Sequence, residues 1–413
     1  MQFYATFALL ITLAALFAWA NHRWLRMPPS IGLLLITLLF SLGTVGLGRV
    51  APELTAPLVD VVQRIDLSKL LLEVMLSFLL FAGAIHIKWA DLSAHRLSIL
   101  LFSTVSVALS TVIVGIVFHA VLPLFGLELP LVRCLLFGAL ISPTDPIAVL
   151  SILKRAGVPQ ALEMKVAGES LFNDGVAVVL FLSIAEASAD PADLSIGSMA
   201  LLFLREAVGG IVLGLVIGYL GFRMMRRVDE YKVEVMLSLA MVMGGYALAH
   251  QLHVSGPLAM VAAGIFIGNL GRAHAMSAVT VEYVDKFWEI VDELLNAVLF
   301  VLIGLELLVI SLPHGVAGIV AFAIPTLLVV RFISLWLPAQ LARRRERNPT
   351  RTILLLTWGG LRGGISIALA LSLPRDEGRE MWVAITYAVV AFSIVVQGLT
   401  VGRLAKRLQA EGE

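Results

Sequence analysis

Five charged side chains stand well inside apolar runs of this 413-residue sequence: Asp145, Glu169, Asp174, Arg331 and Arg362. A charge in such surroundings is costly unless it is paired or lines a cavity. Three acids and two arginines leave a net charge near minus one when all are ionised. One surplus carboxylate is what a site for a single monovalent cation or proton needs. The stretch AGESLFNDGVAVVLF, 167–181, holds two of the acids and Asn173. On a helix Ser170 and Asp174 share one face, and Glu169 and Asn173 share another. Glu169 and Asp174 lie about 140° apart around the axis, so the two acids are expected to do different work. Asp174 and Ser170 are placed toward Thr144 and Asp145, and Glu169 toward a basic partner. Oxygen ligands without His or Cys nearby suit a hard cation.

That donor set supports exchange. A desolvated carboxylate holds a proton more readily, and a second acid nearby acts in the same direction. Such a site takes a proton or an alkali cation, but not both. If the empty, charged site cannot cross a membrane cheaply, coupled antiport follows from competition plus alternating access.

The elements that must position these groups are membrane helices. The chain is 59% hydrophobic and only 14% charged, which points to a polytopic all-α membrane protein. A net charge of +1 argues against nucleic-acid binding. The single Cys134 leaves no intramolecular disulfide or cysteine cluster. The N-terminal apolar run lacks a basic leader and is read as a retained first span. Thirteen spans are expected: 4–20, 28–48, 68–87, 97–118, 129–153, 160–186, 199–222, 232–251, 255–271, 287–311, 314–341, 350–373 and 381–403. With the N-terminus outside, the cytoplasmic breaks hold 21 of the chain's 30 Lys and Arg, including RMMRRVDEYK and RRRERNPTR. The opposite break EASADPADLS is acidic. That asymmetry predicts N-outside, C-cytoplasmic topology in a plasma membrane. The tail after Arg407 is read as too short for a soluble regulatory domain, leaving one membrane domain over 1–413.

Two spans should be interrupted. SPTDP at 142–146 places two prolines in the fifth, and WGGLRGG at 358–364 places four glycines in the twelfth. The twelfth comes seven spans after the fifth, an odd offset, so the two run in opposite directions through the bilayer. That is the pattern of inverted repeats with a midplane site. The core ion-binding elements are expected at 129–186 and 314–373. Glu169 reads as half of a structural ion pair. Arg362 has two readings: it bonds freed carbonyls in the broken twelfth helix, or it pairs with an acid such as Asp292 or Glu293.

SPTDPIAVLSIL, GESLFNDGVAVVLF, VVRFISLWLP and WGGLRGGISIALALSLP together resemble the sodium–proton antiporters of the NhaP/NHE type. The resemblance implies an NhaA-like antiporter fold and a homodimer whose mobile core moves in an elevator-like way. It makes Asp174 the ion- and proton-binding carboxylate. Asp145, Ser170 and Thr144 then complete the Na+ site, with Asn173, Glu169, Arg331 and Arg362 in support. Arg331 is implied as the partner of Glu169. Asn173 stands where electrogenic relatives carry a second Asp, which implies one cation exchanged for one proton. Family members often carry an acid in the third span. This chain has Ala82 there, with Glu73 nine residues earlier.

The expected function is therefore electroneutral Na+(Li+)/H+ antiport, without cofactor, serving pH homeostasis. K+/H+ antiport on the same scaffold and sodium-coupled symport of an organic anion are the alternatives. A channel fits less well, since filters are usually built from symmetric subunits. Enzyme readings lack a nucleophile–base set, a phosphate loop or a metal-ligand cluster.

Overall fold

The computed structural model describes residues 2–158, 160–189, 196–310, 313, 315–342, 349–374 and 378–410, and their regular structure is helical. The breaks EASADPADLS and RRRERNPTR lie largely outside the described residues. In chain order the principal helices are α1 (Gln2–Ala20), α2 (Pro29–Gly48), α3 (Leu67–Ile85), α4 (Arg96–Phe125), α5 (Leu131–Ile141), α6 (Pro146–Ala156), α7 (Gln160–Ala189) and α8 (Ile196–Met225). They continue with α9 (Tyr231–Gln251), α10 (Gly256–Phe266), α11 (Ala278–Glu306), α12 (Val316–Ala342), α13 (Pro349–Trp358), α14 (Gly364–Ser372) and α15 (Arg379–Leu408).

Nine helices among the described residues are long and apolar enough to cross a membrane. The other four expected spans fall short for distinct reasons. Those at 129–153 and 350–373 are each split into two short helices, α5 with α6 and α13 with α14. The one at 255–271 is the 11-residue α10 continued by wider turns. The one at 287–311 belongs to α11, whose 29 residues carry Glu282, Asp285, Lys286, Glu289, Asp292 and Glu293 before the apolar end begins.

The helices sort into two bundles. One contains α1, α2, α3, α8, α9, α10 and α11; the other contains α4, the two split helices, α7, α12 and α15. Close backbone approach explains the density of the first, as expected where lipid removes the hydrophobic drive between helices. A Cβ on Gly214 of α8 would lie 2.2 Å from the Ala259 carbonyl oxygen, and one on Gly268 just after α10 would lie 2.1 Å from that of Ile85. Ser41 of α2 donates to the Gly304 carbonyl of α11 at 2.8 Å. The second bundle has its own apolar core, including Phe102, Val149, Leu335, Leu356 and Leu361.

Between the bundles, leucines of the first sit on bare glycines of the second. Leu258 caps Gly175 of α7, and Leu299 with Leu71 caps Gly364 of α14. Added Cβ atoms would approach these leucine side chains to 2.6 Å and 2.4 Å respectively.

Candidate functional site

Residues 142–145 and 359–363 leave helical geometry, and the two breaks cross. Pro143 and Pro146 cannot donate to the helical ladder, and the glycines of WGGLRGG weaken theirs, so both chains expose backbone groups in mid-protein. The structure satisfies these groups across the crossing. The Asp145 N–H donates to the Leu361 carbonyl at 2.7 Å. Arg362, buried, donates from Nη1 to the carbonyls of Ser142 at 2.5 Å and Pro143 at 3.1 Å. Its own N–H donates to Ser393 Oγ of α15 at 3.0 Å.

Arg362 thus corrects both readings from sequence. It bonds freed carbonyls, but those of the fifth span rather than its own broken helix, and its hydrogen bonds do not go to Asp292 or Glu293. The reason is geometric: at the crossing, the end of α5 lies nearer than any acid of α11. Electrostatics agree, because a cation at a helix C-terminus is stabilised by the partial negative charge there. Asp145 occupies the complementary place. It directly precedes the first residue of α6, and a Cβ on Gly363, at the start of α14, would lie 2.8 Å from Asp145 Cβ and 3.1 Å from Oδ2. The starts of α6 and α14 therefore meet at this residue.

The middle of α7 supplies a hydrogen-bonded cluster. Arg331 of α12 donates to Glu169 Oε1 at 2.6 Å, and each side chain is 2% exposed. Asn173 donates to Glu169 Oε1 at 2.9 Å and to Thr144 Oγ1 at 2.6 Å, while accepting from the Thr144 N–H at 3.3 Å. Thr144 and Ser170 hydroxyls lie 3.0 Å apart, and Ser170 donates to Glu169 Oε2 at 3.4 Å. With the Ser170 proton directed at Glu169, the Thr144 proton goes to Ser170. Every donor then leads to one carboxylate. The expected division of faces on α7 is softened by this cluster. Asn173 is long enough to span from Glu169 to Thr144, so Thr144 serves both faces.

Asp174 stands apart. It is 6% exposed, and its Oδ1 is buried with no hydrogen-bond partner. Asp174 and Asp145 line one cavity of about 1510 Å³, together with Ala82 of α3 and Asp292, Glu293 and Asn296 of α11. Glu73 does not reach it. That residue lines a different cavity, of about 1480 Å³, with Glu186, Glu206, Glu306 and Arg379. Asn296 was not singled out from the sequence, although a lone amide in LLNAVLFVLIG carries the same signal that marked Asn173.

The arrangement can hold one hard cation or one proton at a carboxylate whose neighbours are already compensated. Glu169 is neutralised by Arg331, Asp145 stands where two helices start, and Arg362 is met by carbonyls. Asp174 has no cationic counterpart among these groups: the Thr144 N–H lies within reach of its carboxylate, and Oδ1 is left without a partner.

Comparison with known proteins comes from sequence and from fold. The family described as sodium/hydrogen exchanger, transmembrane, matches residues 11–407. A protein of Pseudomonas aeruginosa named Na(+)/H(+) antiporter NhaP is 49% identical, covering 98% of this chain and 96% of its own. The Na(+)/H(+) antiporter NhaH of Halobacillus dabanensis is 36% identical over 94% of each. The structure of the sodium proton antiporter MjNhaP1 from Methanocaldococcus jannaschii superposes with a TM-score of 0.75, covering 99% of both chains at 19% identity. At that identity the likeness speaks for the fold.

Proposed function

Because the chain belongs to the sodium/hydrogen exchanger family, we propose that it exchanges Na+ or Li+ for a proton, one for one, at Asp174. The observation that carries this reading is the buried Asp174 Oδ1, unpartnered on the wall of the larger cavity. Asp145, Ser170 and Thr144 supply further oxygens, and Asn173, Glu169, Arg331 and Arg362 hold them in place.

Electroneutrality follows from the charge at the site. Asn173 is an amide, fully occupied by Thr144 and Glu169. Of the acids that the second bundle brings to this site, Asp174 is the one left to change charge. With Na+ bound or with a proton bound, it presents the same net charge to the membrane. The empty site presents one more negative charge in a low-dielectric setting, which raises the barrier to crossing empty.

The second bundle is the unit that carries the ion, and the first is the fixed scaffold and dimer face in a plasma membrane. The cavity at Asp174 also contains Arg23, Arg26 and Lys154 from breaks assigned to the cytoplasm by their basic content. The structure is therefore read as inward-facing, with the N-terminus outside.

The test uses proteoliposomes with an imposed pH gradient and an internal pH dye. Na+, Li+ and K+ are each added, with voltage clamped by a lipophilic ion; Na+ or Li+ is expected to collapse the gradient in wild type and not in Asp174→Ala. A response to K+ alone would reassign the cargo. A mutant matching wild type would remove Asp174 from the role. Proton and cation compete, so the apparent KM for Na+ falls as pH rises, by about tenfold per unit while the site is mostly protonated. A pH-independent KM would argue against a shared site.

A further inference from the structure

The third span lacks an acid at Ala82, and Glu73 lies on the other cavity. The opposite wall of the Asp174 cavity is not bare, however. Residues 285, 289, 292 and 296 recur at helical spacing along one face of α11, and all four line that cavity. Asp285 is engaged by Arg272, and Glu289 is exposed. Deeper in, Asn296 is 5% exposed and its Oδ1 has no hydrogen-bond partner. Its amide orientation is settled by chemistry. Nδ2 donates to the Asp292 carbonyl at 2.8 Å, and reversing the amide would set two oxygens at that distance. A buried carbonyl oxygen is therefore left without a donor. Asp292, one turn earlier, lines the same cavity as Asp145 and Asp174.

We propose that Asp292 and Asn296 of α11 form a second cation subsite across the cavity from Asp174, one that takes a partly hydrated monovalent cation. The proposal rests on the antiport reading above and adds residues that the site motifs do not contain. Two oxygens are fewer than a hard cation takes, so water completes the shell. The subsite belongs to the scaffold bundle, whereas Asp174 belongs to the other. It therefore receives and releases the ion only while the cavity is open to it.

The experiment measures Na+-driven proton efflux from proteoliposomes for wild type, Asp174→Ala, Asn296→Ala, Asn296→Asp and Asp292→Asn. Asn296→Ala and Asp292→Asn are expected to raise the KM for Na+ about tenfold, more than they change the maximal rate. Asn296→Asp, which restores an acid to the cavity, is expected to lower the KM and to shift the Na+/Li+ preference. A merely structural role would not move the KM in opposite directions. Unfolding in choline medium identifies a variant that fails to fold. If Asn296→Ala is one, Asn296→Asp and Asp292→Asn keep the side-chain volume and decide the matter. Activity surviving in Asp174→Ala would count against Asp174 as the exchange site, the reading on which the subsite rests. Loss in Asp174→Ala with Asn296→Ala and Asp292→Asn both within about twofold of the wild-type KM overturns the subsite alone.

Discussion

Glu169 accepts from Arg331, Asn173 and Ser170 at once, and this convergence decides what substitutions near it do. Removing either partner of a buried ion pair leaves the other charge stranded, at a cost of about 3–5 kcal/mol. Glu169→Ala and Arg331→Ala should each lower the thermal unfolding temperature of the purified protein. The double variant should lose less than the two single losses combined. Unchanged unfolding in both single variants would remove the pair from its supporting role. Asn173→Asp has a different outcome. It takes away both amide donors and sets a carboxylate beside Glu169, adding a charge that the site cannot neutralise. Transport should then respond to membrane voltage, read as a dependence of Na+-driven proton flux on an imposed potential. Flux that stays voltage-insensitive would count against the one-for-one charge reasoning.

At the scale of elements, the crossing of the two breaks is the central contact. Its backbone groups are exchanged between α5–α6 and α13–α14, so neither helix can be repaired without disturbing the other. Gly363 lies at the tightest point, beside Asp145. Gly363→Ala should displace that carboxylate and reduce Na+-driven flux severalfold, with a smaller loss of stability than Arg331→Ala. Equal flux in the two proteins would show that the Asp145 position tolerates the shift. The interruptions themselves were legible in SPTDP and WGGLRGG, because proline and glycine act on their own backbone. The destination of Arg362 was not legible. Which carbonyls face which guanidinium depends on how two distant segments cross, and a single sequence carries no register between them. Asn296 escaped notice for a related reason. A lone amide in an apolar run also suits interhelical packing, and only the cavity shows where its oxygen is left.

On the scale of the molecule, the two large cavities have different walls, one with Ala82 and Asp174 and the other with Glu73 and Glu306. In a Cys134→Ser background, Ala82→Cys should react with a membrane-impermeant thiol reagent from the cytoplasmic side, and Glu73→Cys from outside. The reverse pattern would invert the proposed orientation. Composition and loop charge made the polytopic helical class readable. Four spans resisted a length-and-hydropathy criterion because each is split, short or lined with acids, and three of these four border the Asp174 cavity. Where the bundles meet, Leu258, Leu299 and Leu71 rest on Gly175 and Gly364. A leucine tip on a bare glycine involves no donors or acceptors, so nothing there must be rehydrated when the surfaces part. Resistance to sliding is then a matter of shape, with each tip climbing out of one hollow before it drops into the next. Packed surfaces of this kind favour discrete resting positions over a continuum. In the proposed exchange, the cargo would set whether a crossing is permitted, and the hollows would act as mechanical stops that set where it halts.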